Sequence, residues 1–365
     1  MIKCDLIMPV WNELEVTRAS FESLVKNTER FYRLIVIDNG SDLPTQKYLE
    51  DAKSLFPEYK LVRLEKNLGF VKATNEGLKV ANAEYICLVN NDVIFAKGWL
   101  SEMIKVMADR KIGVLNPESN NWGEWPNDVS IEQYAETLSA RNGEWQESGY
   151  CIGFCMMFRK EIFDKVGYLD ETYGTGYLEE TDFCRRVQKL GYYCGIAKGA
   201  YVYHIGAQTF KKLNDHRLQY ENNLKIFNRK WGKSLRIAYI LNGCKARKEE
   251  TSAIILAALR DFHSLTIYTR SIKASKSCIP DHASVRLREI KGLFFYSNVF
   301  LCIMARQLKS KKNKRFDIII LEQPLAQIPF NVLGYLSRCV VKIKPNLKEA
   351  QSTWLKAKSS NMDNF

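Results

Sequence analysis

Residues 83–92, Ala-Glu-Tyr-Ile-Cys-Leu-Val-Asn-Asn-Asp, join an apolar run to three polar side chains, the last of which is the carboxylate of Asp92. The run from Tyr85 to Val89 is typical of a buried strand. Ligands bind at the carboxyl ends of strands in open α/β sheets, where a carboxylate can hold a divalent ion against a phosphate-bearing substrate. Asn and Asp also favour turns and helix caps, so Asn90, Asn91 and Asp92 could instead simply end the strand.

A second candidate group lies between residues 174 and 204. Glu179, Glu180 and Asp182 occupy the first turn of a predicted helix that follows a glycine-rich turn. A helix N-terminus stabilises acidic side chains, but three acids in four residues exceed what capping needs, and they could present a base at a cleft. His204 ends a strand-rich stretch. A lone histidine is more often structural, but this position makes metal or phosphate contact plausible.

Strands and helices alternate along the first half of the chain. Predicted strands are 4–10, 34–37, 61–64, 85–89, 112–115, 150–158 and 192–203, and predicted helices are 12–26, 45–55, 71–81, 98–108, 159–166 and 179–190. We expect Asn12 to cap the first helix. This order predicts an α/β fold with a mainly parallel, doubly wound sheet. The dinucleotide fingerprint Gly-x-Gly-x-x-Gly and the Gly-x-x-x-x-Gly-Lys phosphate loop are both missing, which argues against a dehydrogenase and a P-loop ATPase.

Composition indicates a folded chain of about two domains. From Ile205 onward there are 30 Lys and Arg against 11 Asp and Glu, a net charge of +19, whereas the first 204 residues carry −6. A basic C-terminal half suggests an acidic membrane surface or nucleic acid as neighbour, or simply a solvated basic face. The ten cysteines form no Cys-x-x-Cys pair and no signal peptide is recognisable. We therefore expect free thiols and a cytoplasmic location, with neither a zinc site nor a disulfide framework.

Taken together, the motifs of residues 3–231 resemble the family 2 inverting glycosyltransferases, which have the GT-A fold. The closest resemblance is to rhamnosyltransferase-like members that build surface polysaccharides. The matching segments, in family order, are 7–12 (Ile-Met-Pro-Val-Trp-Asn), 36–41 (Val-Ile-Asp-Asn-Gly-Ser), 67–70 (Asn-Leu-Gly-Phe), 75–77 (Asn-Glu-Gly), 90–92 (Asn-Asn-Asp), 167–171 (Gly-Tyr-Leu-Asp-Glu) and 179–186 (Glu-Glu-Thr-Asp-Phe-Cys-Arg-Arg).

The resemblance implies a role for each matching position. Asp92 would ligate Mg²⁺ or Mn²⁺ against the diphosphate of a nucleotide-diphosphate sugar, and His204 would complete the ion's ligands or touch the phosphates. Glu180 would deprotonate the acceptor hydroxyl, with Glu179 as the alternative base. The donor-binding positions would be Pro9, Asn12, Asp38, Asn67, Gly69, Asn90 and Asn91. Many relatives carry two or three carboxylates where this chain has only Asp92, which predicts weaker metal binding, or binding that requires the donor.

We therefore expect residues 1–232 to form a metal-dependent catalytic domain that uses a glycan or lipid-linked glycan acceptor. The alternatives are a catalytically silent relative that binds the same ligands and, less favoured because no known motif supports it, a nucleic-acid-binding protein. The polar segment 116–147 predicts a binding loop, whose Trp122, Trp125 and Trp145 could stack on sugars or anchor the loop on the core.

Residues 233–365 form a basic α/β region. Its β-α-β start loosely resembles a Rossmann-like domain, either incomplete or an accessory layer. The apolar segment 294–304, followed by the basic cluster 309–315, predicts either a peripheral membrane-surface helix or a buried core helix. No apolar run reaches the roughly 18 residues of a transmembrane helix.

Overall fold

The computed structural model describes residues 2–122, 129–206, 216–242, 247–309, 315–322, 327–337 and 339–359. The chain divides into two compact units, Met1–Phe227 and Asn228–Phe365. Trp125 and Cys244 lie outside the described residues, as does most of the basic cluster 309–315.

The first unit alternates strands and helices. Its strands are β1 (Cys4–Val10), β2 (Tyr32–Asp38), β3 (Tyr59–Arg63), β4 (Tyr85–Val89), β5 (Val93–Phe95), β6 (Ile112–Glu118), β7 (Trp145–Ser148), β8 (Cys155–Arg159) and β9 (Tyr193–His204). Its helices are α1 (Leu14–Asn27), α2 (Leu43–Asp51), α3 (Phe70–Val80), α4 (Trp99–Val106), α5 (Ile131–Leu138), α6 (Lys160–Val166) and α7 (Glu179–Lys189), and α8 (His216–Trp231) crosses into the second unit.

The strand order of the first sheet is β3-β2-β1-β4-β8-β6-β9-β5, with β7 paired to β9. The pairs β3–β2, β2–β1 and β1–β4 are parallel, whereas β8 runs antiparallel to both β4 and β6. The parallel half places the carboxyl ends of β1, β2 and β4 at one edge. The α/β class with a mainly parallel sheet is therefore confirmed.

Alternating side chains of the strands build one core on each face of this sheet. On β1, Leu6 and Met8 pack into one cluster with Phe21 of α1, while Ile7 packs into the other with Leu78 of α3. Period-two alternation lets a strand bury both of its faces. Helices thus cover both faces, as the sequence predicts.

The polar segment 116–147 is more ordered than we expected. It contains the end of β6, a short 3-10 helix at Asn120–Trp122, helix α5 and strand β7. A capping box between Ser130 and Gln133 begins α5, because the Ser130 hydroxyl accepts from the Gln133 N–H and the Gln133 side chain accepts from the Ser130 N–H. The prediction of an irregular loop over the whole segment is wrong.

The second unit contains a complete parallel sheet in place of the partial layer that we considered. Its strands are β10 (Arg236–Leu241), β11 (Ser264–Thr269), β12 (Val285–Glu289), β13 (Ile318–Leu321) and β14 (Val340–Ile343), in the order β12-β11-β10-β13-β14. All four pairings are parallel. This is the order 3-2-1-4-5 of a doubly wound Rossmann-like sheet.

Helices cover both faces of the second sheet. They are α9 (Lys248–Arg260), α10 (Ile272–Ser275), α11 (Phe295–Lys309), α12 (Gln327–Ser337) and α13 (Leu347–Ser359). Phe295, Val299 and Ile303 of α11 are buried in one of the two cores. This face of α11 packs into the core, as the second of our two predictions for the apolar segment states. Within the described residues, no helix has the length and apolar character needed to cross a membrane.

Eight cysteines are free thiols and Cys278 is disulfide-bonded, so the expectation of free thiols throughout is wrong at that position.

Candidate active site

Asp38 ends β2 and is completely buried. Its Oδ1 accepts a hydrogen bond from the Ser41 N–H at 2.9 Å, and its Oδ2 accepts from Arg63 Nε at 3.0 Å. One carboxylate oxygen therefore fixes the loop that follows β2, and the other bonds the end of β3. Contact between Asp38 and a nucleotide stays a prediction.

Asn12 does not cap α1. The residue at the N-cap is Glu13, which makes no side-chain capping bond, and both Asn12 and Glu13 have left-handed backbones, with φ of 56° and 55°. Instead, Asn12 Oδ1 accepts from the Asp42 N–H at 2.7 Å, and the Asn12 N–H donates to Ser41 Oγ at 3.0 Å. Asn12 thus joins the turn after β1 to the loop after β2. The neighbouring Pro9 lies in β1 opposite Ile37.

An amide network joins the loop after β2 to the start of α3. Asn39 Nδ2 donates to Asn67 Oδ1 at 2.9 Å, and Asn39 Oδ1 accepts from the Leu68 N–H at 2.8 Å. Asn67 Oδ1 also accepts from the Gly69 N–H. Two loops far apart in sequence are therefore held as one surface, with Asn67 exposed on it.

Gly69 connects this surface to the loop before α7. Its φ is +84°, and a Cβ added there would lie 2.9 Å from Thr175 Cα. The Phe70 N–H donates to the Thr175 carbonyl at 3.3 Å. The conformation and the close backbone approach both require glycine.

Asp92 and His204 come together across the antiparallel pair β5–β9, in which Val93 lies opposite His204. His204 Nε2 lies 3.1 Å from Asp92 Oδ1 and 3.4 Å from Asn90 Nδ2. Among the described residues, Asn90 Oδ1 is a buried acceptor without a hydrogen-bond partner, and the buried Asp92 Oδ1 has a partner only when His204 Nε2 carries a proton. Buried acceptors are normally satisfied, so these two oxygens beside an imidazole mark a place for a ligand.

The amide of Asn91 is used elsewhere. Asn91 Nδ2 donates to Thr17 Oγ1 of α1 at 2.9 Å. Of the three polar residues after β4, Asn90 and Asp92 therefore lie with His204, while the side chain of Asn91 bonds to a helix.

Two asparagines of the 3-10 helix Asn120–Trp122 hold His204. The Asn120 side chain accepts from the His204 N–H and donates to the His204 carbonyl, both at 2.9 Å. Asn121 Nδ2 lies 2.9 Å from His204 Nδ1. The orientation of that amide decides which ring nitrogen carries the proton. If Asn121 presents its oxygen, Nδ1 is the donor and the lone pair of Nε2 becomes available to a metal ion.

Glu179 and Glu180 start α7 as an interacting carboxyl pair. Glu179 is only 4% exposed, Glu180 is half-buried, and among the described residues their Oε2 atoms have no hydrogen-bond partner. Burial and the neighbouring Glu180 raise the pKa of Glu179 well above its usual value. Burial also raises the pKa of Glu180, although a hydrogen bond from Glu179 opposes that rise. The pair therefore keeps one proton to a higher pH than an ordinary glutamic acid does, and Glu179 is the residue that carries this proton.

The turn before the pair has an unusual backbone. Tyr177 and Leu178 are both left-handed, with φ of 76° and 73°. Non-glycine residues in this region store strain that the surroundings must hold. Asn223 of α8 helps to stabilise this turn, because its Nδ2 donates hydrogen bonds to the carbonyls of Tyr173 and Gly176.

Asp182 anchors α7. It is completely buried, and its Oδ2 accepts from Arg186 Nε at 2.8 Å, while Arg186 also donates to the Val166 and Tyr168 carbonyls. Of the three acids in this turn, Asp182 is therefore the structural one.

Two consecutive residues of the loop before β8 connect the carboxyl pair to the histidine. A Cβ added at Gly153 would lie 4.0 Å from Glu180 Cβ and 3.7 Å from the Phe70 ring. The Phe154 ring stacks on His204, with centroids 5.1 Å apart, and the Phe154 carbonyl accepts from the Asn90 N–H at 2.9 Å. This short segment therefore lies beside Glu180, His204, Asn90 and the start of α3.

Sequence reasoning missed the residues that hold the site, namely Asn120, Asn121, Gly153 and Phe154. The two asparagines lie in the segment that we predicted to be irregular, and their partners come from a distant strand. No local pattern signals such contacts. Two of the three tryptophans of that segment contact protein, since Trp122 Nε1 donates to the Pro117 carbonyl and the Trp145 ring stacks on Tyr193. Stacking on a sugar stays a prediction.

Residues 5–167 match the sequence model of Glycosyl transferase family 2. The matched segment contains β1 to β8, and with them the loops of Asp38, Asn67 and Asp92. Residues 5–167 of this chain are therefore similar to glycosyltransferase family 2. The expected GT-A type of α/β fold is confirmed by this match.

Several relatives are similar to this chain at low identity. An uncharacterized protein of Sinorhizobium fredii, y4gI, is 24% identical over 252 residues, which are 62% of this chain and 27% of that protein. The uncharacterized glycosyltransferase YwdF of Bacillus subtilis is 26% identical over 178 residues, 46% of this chain and 62% of that protein. The glycosyltransferase GlyG of Streptococcus pneumoniae is 20% identical over 324 residues, 84% of this chain and 98% of that protein. The alignment thus spans less than two thirds of the first two relatives.

Proposed function

We propose that this chain is an inverting glycosyltransferase that moves a sugar from a nucleotide-diphosphate sugar to a hydroxyl of a glycan or lipid-linked glycan. The observation that carries the proposal is the position of one segment between the two groups: a Cβ added at Gly153 would lie 4.0 Å from Glu180 Cβ, and the ring of the next residue, Phe154, stacks on His204. A carboxyl pair with raised pKa values and a carboxylate–imidazole pair therefore border one region, at the carboxyl ends of the strands where α/β proteins bind ligands.

The residues at the end of β4 fit a divalent cation. Among the described residues, Asn90 Oδ1 is a buried acceptor without a partner, and the buried Asp92 Oδ1 lies 3.1 Å from His204 Nε2. Oxygen ligands with one imidazole suit Mg²⁺ or Mn²⁺. When bound, the ion would offset the charge that develops on the departing diphosphate. A single carboxylate suggests that the donor's phosphates supply further ligands.

Glu180 is the base in this proposal. Because Glu179 holds the shared proton, Glu180 is the member of the pair that is ionised first as pH rises. Its carboxylate takes the proton of the acceptor hydroxyl. The acceptor oxygen then forms a bond to the anomeric carbon from the face opposite the diphosphate, the bond to the diphosphate breaks, and the configuration inverts.

The loops that follow β1, β2 and β3 form the donor side of the site. The bonds of Asn12, Asp38 and Asn67 fix these loops as one surface. A surface already fixed costs less entropy when the nucleotide binds. The loop of Thr175, which contacts Gly69, connects this surface to Glu179 and Glu180.

The resemblance of the motifs supports cell-surface polysaccharide synthesis as the setting, with the enzyme in the cytoplasm or peripheral on the inner face of the membrane. The main competing function is a silent relative that binds a nucleotide sugar without turnover. The Oε2 atoms of Glu179 and Glu180, which have no partner among the described residues, favour an enzyme, because burying the Glu179 carboxyl group costs free energy that a silent relative has no reason to spend.

The test is turnover of a panel of nucleotide sugars with Mn²⁺ or Mg²⁺, measured as release of the nucleoside diphosphate. We expect metal-dependent turnover of one donor, lost by at least about 100-fold in Glu180→Gln. Asp92→Asn should lose the dependence on metal. Glu15→Gln is the control, since its side chain is 81% exposed on α1.

The outcomes separate the alternatives. Turnover that survives in Glu180→Gln and is lost in Glu179→Gln would assign the base to Glu179. Binding of a donor without turnover for any acceptor in the panel would favour the silent relative.

A further inference from the structure

Three cysteines from separate elements meet in the first unit. Cys151 lies in the loop before β8, Cys184 on α7 and Cys194 on β9, and all three are completely buried. Their Sγ atoms all lie within 4.8 Å of one another. We refer to these three residues as the cysteine triad.

The triad has few polar contacts. The Cys151 N–H donates to Cys184 Sγ at 3.3 Å, and the Cys151 thiol points to the Gly195 carbonyl at 3.5 Å. The same core cluster includes Val114, Phe183 and Val187. A backbone N–H directed at a sulfur stabilises a thiolate, and an apolar surrounding excludes the water that a hard cation such as Mg²⁺ retains.

We propose that the cysteine triad binds a thiophilic metal cation, of the class that includes Zn²⁺, Cd²⁺ and Cu⁺. Three thiolates around one ion with metal–sulfur distances of about 2.3 Å lie roughly 4 Å apart. The sulfur atoms therefore need to approach one another by less than about 1 Å. Binding forms three metal–sulfur bonds and releases the three thiol protons to solvent, so no oxidant or reductant is required.

The position of the triad connects it to the candidate active site. Cys184 follows Glu180 by one turn of α7, and Cys151 precedes Gly153 and Phe154 in the same short loop. An ion held by both cysteines fixes this loop against α7. The triad thus constrains the segment that lies beside Glu180 and stacks on His204, although its metal binding does not depend on the proposed sugar transfer.

The test uses the full-length reduced protein and Cd²⁺ alone as the probe. In the presence of excess Mn²⁺, which occupies the proposed site at Asp92, we expect one Cd²⁺ per chain, with ultraviolet thiolate-to-metal charge-transfer absorption. Cys184→Ser should weaken binding at least tenfold. The matched control is Cys4→Ser, which removes a thiol of β1 that is equally buried but lies outside the triad. Equal binding by the two variants, or no binding by the wild type, overturns the proposal.

A second measurement applies if Cys184→Ser does not fold. The wild-type protein is alkylated in urea below the unfolding transition, with and without Cd²⁺, and the modified residues are mapped by mass spectrometry. Cd²⁺ should slow alkylation at Cys151, Cys184 and Cys194 but not at the exposed Cys302. Unchanged alkylation of the triad overturns the proposal, whatever the result of the turnover assay.

Discussion

His204 Nε2 lies 3.1 Å from Asp92 Oδ1, and the Asn121 amide contacts the opposite nitrogen of the same ring. A side chain that bonds the second nitrogen of an imidazole sets its tautomer and orientation. In the proposed site, Asn121 would therefore control whether His204 can serve as a metal ligand, without itself contacting the ion.

Asn121→Ala should weaken Mn²⁺ binding by about 10- to 100-fold, because the ring loses the partner that fixes its tautomer. Electron paramagnetic resonance of free Mn²⁺ in the presence of a nucleoside diphosphate measures this affinity. Asn222→Ala, an exposed position on α8, is the control. Equal affinities in the two variants would contradict the role of Asn121.

The rate of transfer should depend on the raised pKa values of the carboxyl pair. The base must be ionised, so kcat should rise with pH through an apparent pKa above that of an ordinary glutamate. Glu179→Gln retains a hydrogen-bond donor beside Glu180 and should keep the rising limb of the profile. Glu180→Gln should abolish the limb together with most of the activity. A limb that disappears only in Glu179→Gln would reverse the two roles.

The same pair should make stability depend on pH. The folded-state pKa of Glu179 is raised by burial, so its contribution to stability is fully present below its unfolded pKa and is lost as pH rises through the folded value. Glu179→Gln cannot ionise, and its free energy of unfolding should decline less than that of the wild type over that range. Urea unfolding at a series of pH values measures the difference. Parallel curves for the two proteins would show that Glu179 is not the group responsible.

Asn12 should tolerate glycine better than alanine. Alanine loses the hydrogen bond to the Asp42 N–H and also disfavours the left-handed backbone, whereas glycine loses only the bond. We expect Asn12→Ala to lower the free energy of unfolding by about 1–2 kcal/mol and Asn12→Gly by less. Urea denaturation of both variants provides the comparison. An alanine variant as stable as the glycine variant would argue against backbone strain.

Gly69→Ala should impair donor binding as well as stability. Its Cβ would meet Thr175 Cα at 2.9 Å, so the donor-side surface and the loop before α7 must separate. Gly191→Ala is a matched control, because its φ of +87° is similar and nothing lies within 4 Å of the added Cβ. We expect both variants to lose stability through the positive φ, but only Gly69→Ala to raise the donor KM. A similar KM increase in both would mean that strain alone is responsible.

The strands and helices with strong local patterns were predictable from the sequence. The apolar run Tyr85–Val89 forms β4 with those same bounds, because a short, continuous apolar segment fits a strand buried on both faces. Helix α5 was also detectable, since Ser130 and Gln133 have the spacing of a capping box. The polar composition of segment 116–147 led us to overlook this capping box.

The parts that sequence reasoning missed depend on contacts between distant residues. Strand β5 is only Val93–Phe95, and its pairing with the end of β9 defines it more than its own composition does. Asn12 has the residue type of an N-cap, yet the loop after β2 determines what its side chain bonds. The sequence left open whether the second unit is an incomplete Rossmann-like domain or an accessory layer. The pairings of β12 and β14, which complete its sheet, were needed to decide.

The antiparallel register of β5 and β9 has a consequence for how the chain can change in length. Val93 lies opposite His204, and side chains alternate between the two faces of a strand. One residue inserted between Asp92 and Phe95 would shift Asp92 relative to His204, and one inserted in the last residues of β9 would turn the imidazole to the opposite face of the sheet. The loops that follow Asp38 and Asn67 are not strands, so an inserted residue there does not move side chains from one face of a sheet to the other. Homologous chains should therefore vary in loop length around the donor surface while keeping a fixed count of residues along these two strands.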